Sequence, residues 1–268
     1  MDHTFTKPGK ETSFIVRRYL TITPSNNNDI LCEKFVPDGS TSLVFNFSGT
    51  VTVTDKGEKI TVPPFFITSP IKRTLIIEAN PAPQTIVAIC KASVFSRYFG
   101  IKNNRYTESP FFPAHNIIPV TLYESMSKCD SPEDRIKLFE EFIQQKNSVG
   151  YQPDEIDKVY DQIMELTDFT RLNTLMANLE LNPRSFRRKF LERVGVNAKM
   201  LSRLVRINYL WNCFLTDNET DFQNMVFDGK YFDQPHLIND FKKIIGESPK
   251  SFFKRNQSDM QIISGKNI

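Results

Sequence analysis

Between Phe14 and Lys91 apolar and polar positions alternate in short runs rich in β-branched and aromatic residues, the pattern of strands that bury one face. The runs Phe14–Leu20, Ile30–Val36, Ser42–Phe47, Val51–Thr54, Lys59–Val62, Phe65–Thr68, Arg73–Glu78 and Gln84–Lys91 are the expected strands. Asp38-Gly39 and Lys56-Gly57 mark turns between them. No helix-length crossover separates these runs, so an antiparallel sandwich or small barrel is expected rather than a parallel sheet.

From Pro119 onward the period changes to that of helices. Ser131-Pro132-Glu133-Asp134 reads as a helix start: a serine cap, a proline at the first position and acids in the positive-dipole turn. Ile136, Phe139, Phe142 and Ile143 follow at helical spacing, a stripe that suits a dimer seam and a contact within the chain equally well. Lys146 to Pro153, with Asn147, Ser148 and Gly150, reads as a linker. Beyond it, Ile156, Val159, Ile163 and Leu166 share one helix face, and Thr170 is the expected cap of a short helix over Arg171–Leu179.

Asn182-Pro183 then opens a helix in which Phe186 and Phe190, four residues apart, must face the core together. That leaves Arg184, Arg187 and Arg188 as one cationic stripe on the N-terminal half, where a recognition helix presents side chains to base edges. The planar fork of arginine suits the task, because it donates two hydrogen bonds to guanine O6 and N7. A charged stripe is often only a solvated face, so its surroundings decide. From Arg171 to Leu215 the basic residues Arg171, Arg184, Arg187, Arg188, Lys189, Arg193, Lys199, Arg203 and Arg206 oppose only Glu180 and Glu192. The local excess of about seven positive charges is of the kind that neutralises phosphates.

A second unit repeats the first after about fifty residues. Thr220 and Gln223 have capping-box spacing for a short helix through Met225 and Phe227, and a turn near Asp228-Gly229 leads to a helix capped by Asp233. In it Leu237 and Phe241 repeat the spacing of Phe186 and Phe190, and Gly246-Glu247-Ser248-Pro249-Lys250 answers Gly195-Val196-Asn197-Ala198-Lys199. Between the units, Lys199 to Phe214 forms one helix roughly 24 Å long. With a unit at each end, the two recognition helices are expected about 34 Å apart, one turn of DNA.

Composition narrows the function classes. A chain of 268 residues, 40% hydrophobic and 24% charged, is long enough for two ordinary domains and is not disordered by composition. A net charge of +3 and a pI near 8.6 identify no polyanionic partner by themselves, so the charge cluster counts for more than the total. Cys32, Cys90, Cys129 and Cys213 are too scattered for a disulfide framework or a zinc site. The polar stretch Met1 to Lys10 is unlike a signal peptide, and no apolar run approaches the ~20 residues of a membrane span. A soluble, reduced, cytoplasmic protein without membrane contact is expected. His115 has no Cys or His nearby, and no metal ligand set or cofactor site is expected. Phe45, Phe47, Phe65 and Phe66 suit core packing better than a ligand pocket.

Asn182 to Phe190, Gly195-Val196, Arg206, and Tyr231-Phe232-Asp233-Gln234 through Phe241 to Gly246-Glu247-Ser248-Pro249 together closely resemble the DNA-binding domain of the AraC/XylS family of bacterial transcription regulators. The resemblance covers about the last hundred residues and has two linked parts, which makes it more specific than a lone helix-turn-helix. The sheet-rich first half resembles the cupin-like sensor or dimerisation domains of many members. The resemblance implies base-facing positions for Arg184, Arg187 and Arg188 of the first recognition helix, with Ser185 and Lys189 beside them as DNA-binding residues, and the corresponding exposed, DNA-binding positions for Gln234, Pro235, Ile238 and Asn239 of the second. His236 matches a frequent family histidine expected to be packed or bonded to backbone. Asn239 stands where arginine is common, and Asp240 adds a negative charge, implying weaker contact by the second unit. Ala198 replaces a common proline, and Lys230 stands where glycine is usual, so the turn there is expected to differ.

The expected fold is α+β: a β-rich cupin-like sandwich or barrel for sensing or dimerisation over 1–118, a helical connector over 119–150, an all-α double helix-turn-helix domain over 151–256 and a flexible tail over 257–268. The expected function is sequence-specific transcriptional regulation, as an activator, with double-stranded DNA as partner. RNA polymerase, a small-molecule effector and a second copy of the chain are further candidate partners. Two alternatives stand beside it. A cupin-type small-molecule-binding enzyme would need a metal-ligand cluster or an activated nucleophile in the first half, where the sequence offers neither. The other is an interaction module with only nonspecific DNA contact.

Overall fold

The structure, a computed structural model, describes residues 1–26, 28–106, 109, 111–146, 150–216 and 222–254. Its strands are β1 (Asp2–Thr6), β2 (Val16–Thr23), β3 (Leu31–Phe35), β4 (Thr41–Asn46), β5 (Val51–Asp55), β6 (Glu58–Thr61), β7 (Phe65–Thr68), β8 (Leu75–Ala79), β9 (Thr85–Cys90) and β10 (Phe111–Pro113). They form a six-stranded sheet, β1-β2-β9-β4-β7-β10, and a four-stranded sheet, β3-β8-β5-β6. Every pairing is antiparallel, and the arrangement is a sandwich. All eight expected strands form, Phe65–Thr68 with the expected bounds and the others with shifted ends. The two the sequence did not announce, β1 and β10, are the edge strands of the larger sheet, where half-exposed positions carry little apolar signal.

The larger sheet is buried on both faces. Leu43, Phe45, Ile67, Ile86 and Ala88 point toward a helical layer, whereas Val44, Phe66 and Val87 point toward the smaller sheet. This explains why all six residues of β4 are buried although they alternate between the two faces. The helical layer comprises α1 (Ala92–Phe99), α2 (Val120–Ser127) and α3 (Pro132–Lys146). Ile136, Phe139 and Ile143 of α3 are buried against the sheet, so the stripe that fitted a dimer seam is consumed within the chain. Phe45, Phe47 and Phe65 join the same layer, and Tyr123 of α2 stacks on Phe47 and Phe65 with ring centroids 5.8 and 4.8 Å apart. Phe66 alone of the four faces the space between the sheets.

The rest of the chain is helical: α4 (Glu155–Met164), a 3₁₀ turn (Phe169–Arg171), α5 (Leu172–Ala177), α6 (Pro183–Val194), α7 (Ala198–Thr216), α8 (Phe222–Asp228), α9 (Gln234–Ile245) and α10 (Pro249–Lys254). Helices α5–α6 and α8–α9 are the two helix-turn-helix pairs. The long helix α7 divides its apolar residues between them: Leu201 and Val205 complete the core of the first, and Leu204, Ile207, Leu210 and Trp211 that of the second. Thr170 does not cap α5, whose N-cap position is Arg171 without a side-chain cap bond; the capping residue here is Asp168, ahead of the 3₁₀ turn, whose carboxylate accepts from the Thr170 N–H at 3.2 Å and from its hydroxyl at 2.6 Å. Thr220, Asn147, Ser148 and the tail 257–268 lie outside the described residues.

The helical half rests directly on the sheets. Tyr160 donates to the Gly39 carbonyl at 3.1 Å, Asn208 to the Pro37 carbonyl at 2.9 Å, and Lys91 pairs with Asp161 at 2.7 Å. Gly39 has φ of 85°, and a Cβ there would stand 2.3 Å from Leu201 Cδ1 of α7. Gly39→Ala is therefore expected to cost about 1–3 kcal/mol through strain and overpacking, read as a lower urea midpoint. Among the described residues no helix is long and apolar enough to cross a membrane.

Candidate nucleic-acid interface

Helix α6 is placed by its ends and its buried face. Asn182 caps it, accepting from the Arg184 N–H at 3.0 Å; Pro183 takes the first position; and Gly195, at φ of 84°, ends it. Phe186, Phe190 and Val194 are buried, the two rings 5.2 Å apart. With that face fixed, Arg184, Arg187, Arg188 and Lys189 are exposed and Ser185 is half-buried.

Helix α9 is built the same way. Asp233 accepts from the His236 N–H at 2.8 Å, Leu237, Phe241 and Ile244 are buried, and Gly246 ends the helix at φ of 91°. Gln234, Pro235 and Asn239 are exposed, and Ile238 is half-buried. The next helix is capped alike in both repeats, by Asn197 Oδ1 on Met200 N at 2.8 Å and by Ser248 Oγ on Ser251 N at 3.2 Å. His236 is exposed, its ring edge-on to Tyr231 at 5.1 Å, with its backbone N–H rather than its imidazole serving the cap.

Three expectations need correction. Asp240 does not add negative charge to the exposed face of α9: it is buried and accepts from Arg203 of α7 through two hydrogen bonds, of 3.0 and 2.6 Å. This fork fixes α9 on the long helix. Asp240→Ala is expected to cost about 1–2 kcal/mol, less than for a fully buried pair because Arg203 keeps some solvent access; chemical denaturation checks it.

The second correction concerns the count of local positive charge. Arg193 and Arg203 are held in ion pairs, and the Arg206 guanidinium lies between the rings of Phe169 and Tyr231, 5.0 and 4.8 Å from their centroids. Counting from sequence overstated the free cations, since these three are structural. Third, the turn before α9 keeps its left-handed residue although glycine is missing there: Lys230 itself has φ of 50°. Gly229 serves another purpose, since a Cβ on it would meet the Tyr231 ring at 2.8 Å.

A polar cleft of about 620 Å³ separates the two units. Arg187 of α6, Lys199, Arg203 and Arg206 of α7 and His236 and Asp240 of α9 line it, so α6 and α9 border one concave surface of net positive charge. A second groove, of about 380 Å³, runs beside α9 between Gln234, Ile238, Lys242 and the start of α10. Burial, followed by the nearby Asp240 carboxylate, pushes the Tyr231 phenol up, so it stays a neutral wall of the cation sandwich.

The sequence missed the elements that hold this interface in place. Helix α1 packs on α6, and Asn103 in the following turn reaches the α6 backbone. The signal was present: Val94, Phe95, Tyr98 and Phe99 have helical spacing and Gly100 ends the run, but it follows β9 with no linker. Among the described residues no three His, Cys, Asp or Glu side chains converge as a metal site, and the four cysteines form no disulfide.

No protein-family model matches the chain, and no curated protein matches it. Among solved structures it is similar to ToxT from Vibrio cholerae, at 11% identity and a TM-score of 0.48 over 86% of this chain and 100% of that one. It is likewise similar to wild-type Vibrio cholerae ToxT with a bound unsaturated fatty acid, at 13% identity and a TM-score of 0.44 over 92% and 100% of the two chains. More distantly, it is similar to the AraC-like transcriptional activator CuxR, at 8% identity and a TM-score of 0.28 over 77% and 89%.

Proposed function

We propose that this chain is a sequence-specific, DNA-binding transcriptional regulator of the AraC/XylS kind, not an enzyme. The observation that carries the reading is the pair of repeat-related helices, capped and terminated alike, that border one cationic cleft and leave Arg184, Arg187 and Arg188 exposed. Phosphate contacts from Lys189, Lys199 and the cleft position the duplex, and the arginine face of α6 reads base edges in a major groove. Gln234, Pro235, Ile238 and Asn239 of α9 contact a second groove. Activation through RNA polymerase, and self-association, belong to the same reading.

The effector's place in this reading is the space of about 120 Å³ between the two sheets, walled by Val44, Val53, Phe66, Leu75 and Val87. It is apolar enough for a small hydrophobic molecule.

Selection from random double-stranded oligonucleotides tests the function. A two-part motif, bound with an affinity that falls steeply as salt rises, is the expected result. Binding without any enriched motif would favour the alternative of an interaction module with nonspecific DNA contact.

A further inference from the structure

Arg193 and Ile244 hold the same place in the two repeats, each the penultimate residue of its recognition helix and two before the terminating glycine. The last carbonyls of a helix have no partner within it. In both units this carbonyl accepts from the sheet half. The Asn103 side-chain amide donates to the Arg193 carbonyl at 2.7 Å. The Thr74 N–H donates to the Ile244 carbonyl at 2.9 Å, and its hydroxyl donates to the same oxygen at 3.2 Å.

Each anchor has a second contact. A Cβ on Gly195 would stand 3.2 Å from Asn103 Cβ, so the turn after α6 lies directly on that residue. Lys34 of β3 pairs with Glu247, just after α9, at 2.9 Å. Asn103 is fully buried, whereas Lys34 is partly exposed.

The anchors come from different sheets. Thr74 leads into β8 of the four-stranded sheet, and Asn103 follows α1, which continues from β9 of the six-stranded sheet. Between the two units the helical half has one rod, α7, with a separate hydrophobic core at each end. Within the helical half the coupling between the two recognition helices runs through this rod, to which the Arg203–Asp240 fork holds α9. A second connection through the sandwich closes the ring and stiffens their relative spacing and angle.

We propose that the sheet half sets the spacing and angle of the two recognition helices by gripping the C-terminal end of each, with Asn103 and Thr74 as positioning residues for DNA reading. This rests on the function proposed above. One added base pair moves a half-site by about a tenth of a helical turn, both along and around the duplex. A braced pair of helices tolerates that poorly, and an unbraced pair follows it.

The test uses the full chain and its selected two-part site, with the spacer between half-sites lengthened or shortened by one and two base pairs. Wild-type protein is expected to lose about tenfold in affinity or more for each altered spacer. Asn103→Ala, and separately Lys34→Ala combined with Thr74→Pro, which removes the N–H donor together with the hydroxyl, are expected to lose less than about threefold on the same spacers. General destabilisation would lower affinity for all spacers in parallel and leave the ratio unchanged. Should Asn103→Ala not fold, the Lys34 and Thr74 variant carries the test on α9 alone. Wild-type spacer discrimination in the folded variants, or a wild type indifferent to spacing, would overturn the brace while leaving DNA reading intact. A wild type that selects no site at all would remove the DNA reading itself.

Discussion

Asp157→Ala is expected to lower the free energy of unfolding by about 3–5 kcal/mol. Its carboxylate is 1% exposed and serves three elements at once. It accepts from Arg193 of α6, from the Tyr151 hydroxyl at 2.7 Å and, as the third residue of the α4 capping box, from the Asp154 N–H at 3.2 Å. Arg97 of α1 adds a contact at 3.4 Å. Removing the carboxylate leaves the largely buried Arg193 facing only Asp154 and the Ser93 carbonyl.

Asp157→Asn keeps the shape and one acceptor, so a smaller loss is expected; comparing the two variants in urea separates charge from capping. A loss under about 1 kcal/mol for the alanine variant would show that water already screens the network. Acid should weaken the same joint. Burial pulls Asp154 upward, but the Asp157 N–H and the Arg193 guanidinium outweigh it and hold its carboxyl below the usual range. A folded pKa below the unfolded one means that this contribution is full above about pH 4 and is lost as pH falls through the lowered value.

This joint also shows what the sequence concealed. Arg193 stood in a run of basic residues and counted there as a phosphate ligand, because counting charges along a chain says nothing of their partners. The partners came from Asp154 and Asp157, 39 and 36 residues earlier, and from a helix that the strand pattern had hidden. Asp240 misled in the opposite sense, since its place in a recognition helix suggested an exposed acid until α7 supplied Arg203. The repeat was legible because its signals are local: Asn182 and Asp233 as caps, Gly195 and Gly246 as ends, and aromatic or aliphatic pairs four residues apart between them. The eight strands β2 to β9 were legible for the same reason. The grip of Asn103 and Thr74 on helix ends was not, because a backbone carbonyl has no sequence signature.

Arg188→Ala and Arg184→Ala are each expected to weaken binding to the selected site by about 1–3 kcal/mol, roughly 5- to 150-fold, and to relax preference at particular base pairs. Both guanidinium groups stand on the face of α6 opposite Phe186 and Phe190, and among the described residues the ion pair involving either is a marginal 4.0 Å approach of Arg188 to Glu192. Their removal therefore leaves the fold's contacts in place, and the weakening reports on DNA alone, unlike Arg203→Ala, which would disturb the Asp240 fork. Lys189→Ala supplies the contrast: without its ammonium group on a phosphate, all sequences should bind more weakly by the same factor, and the slope of log affinity against log salt should fall by about one unit. If Arg184→Ala and Arg188→Ala instead behaved like Lys189→Ala, with unchanged base preference and only a shallower salt slope, α6 would be holding the DNA backbone and the sequence would be read elsewhere.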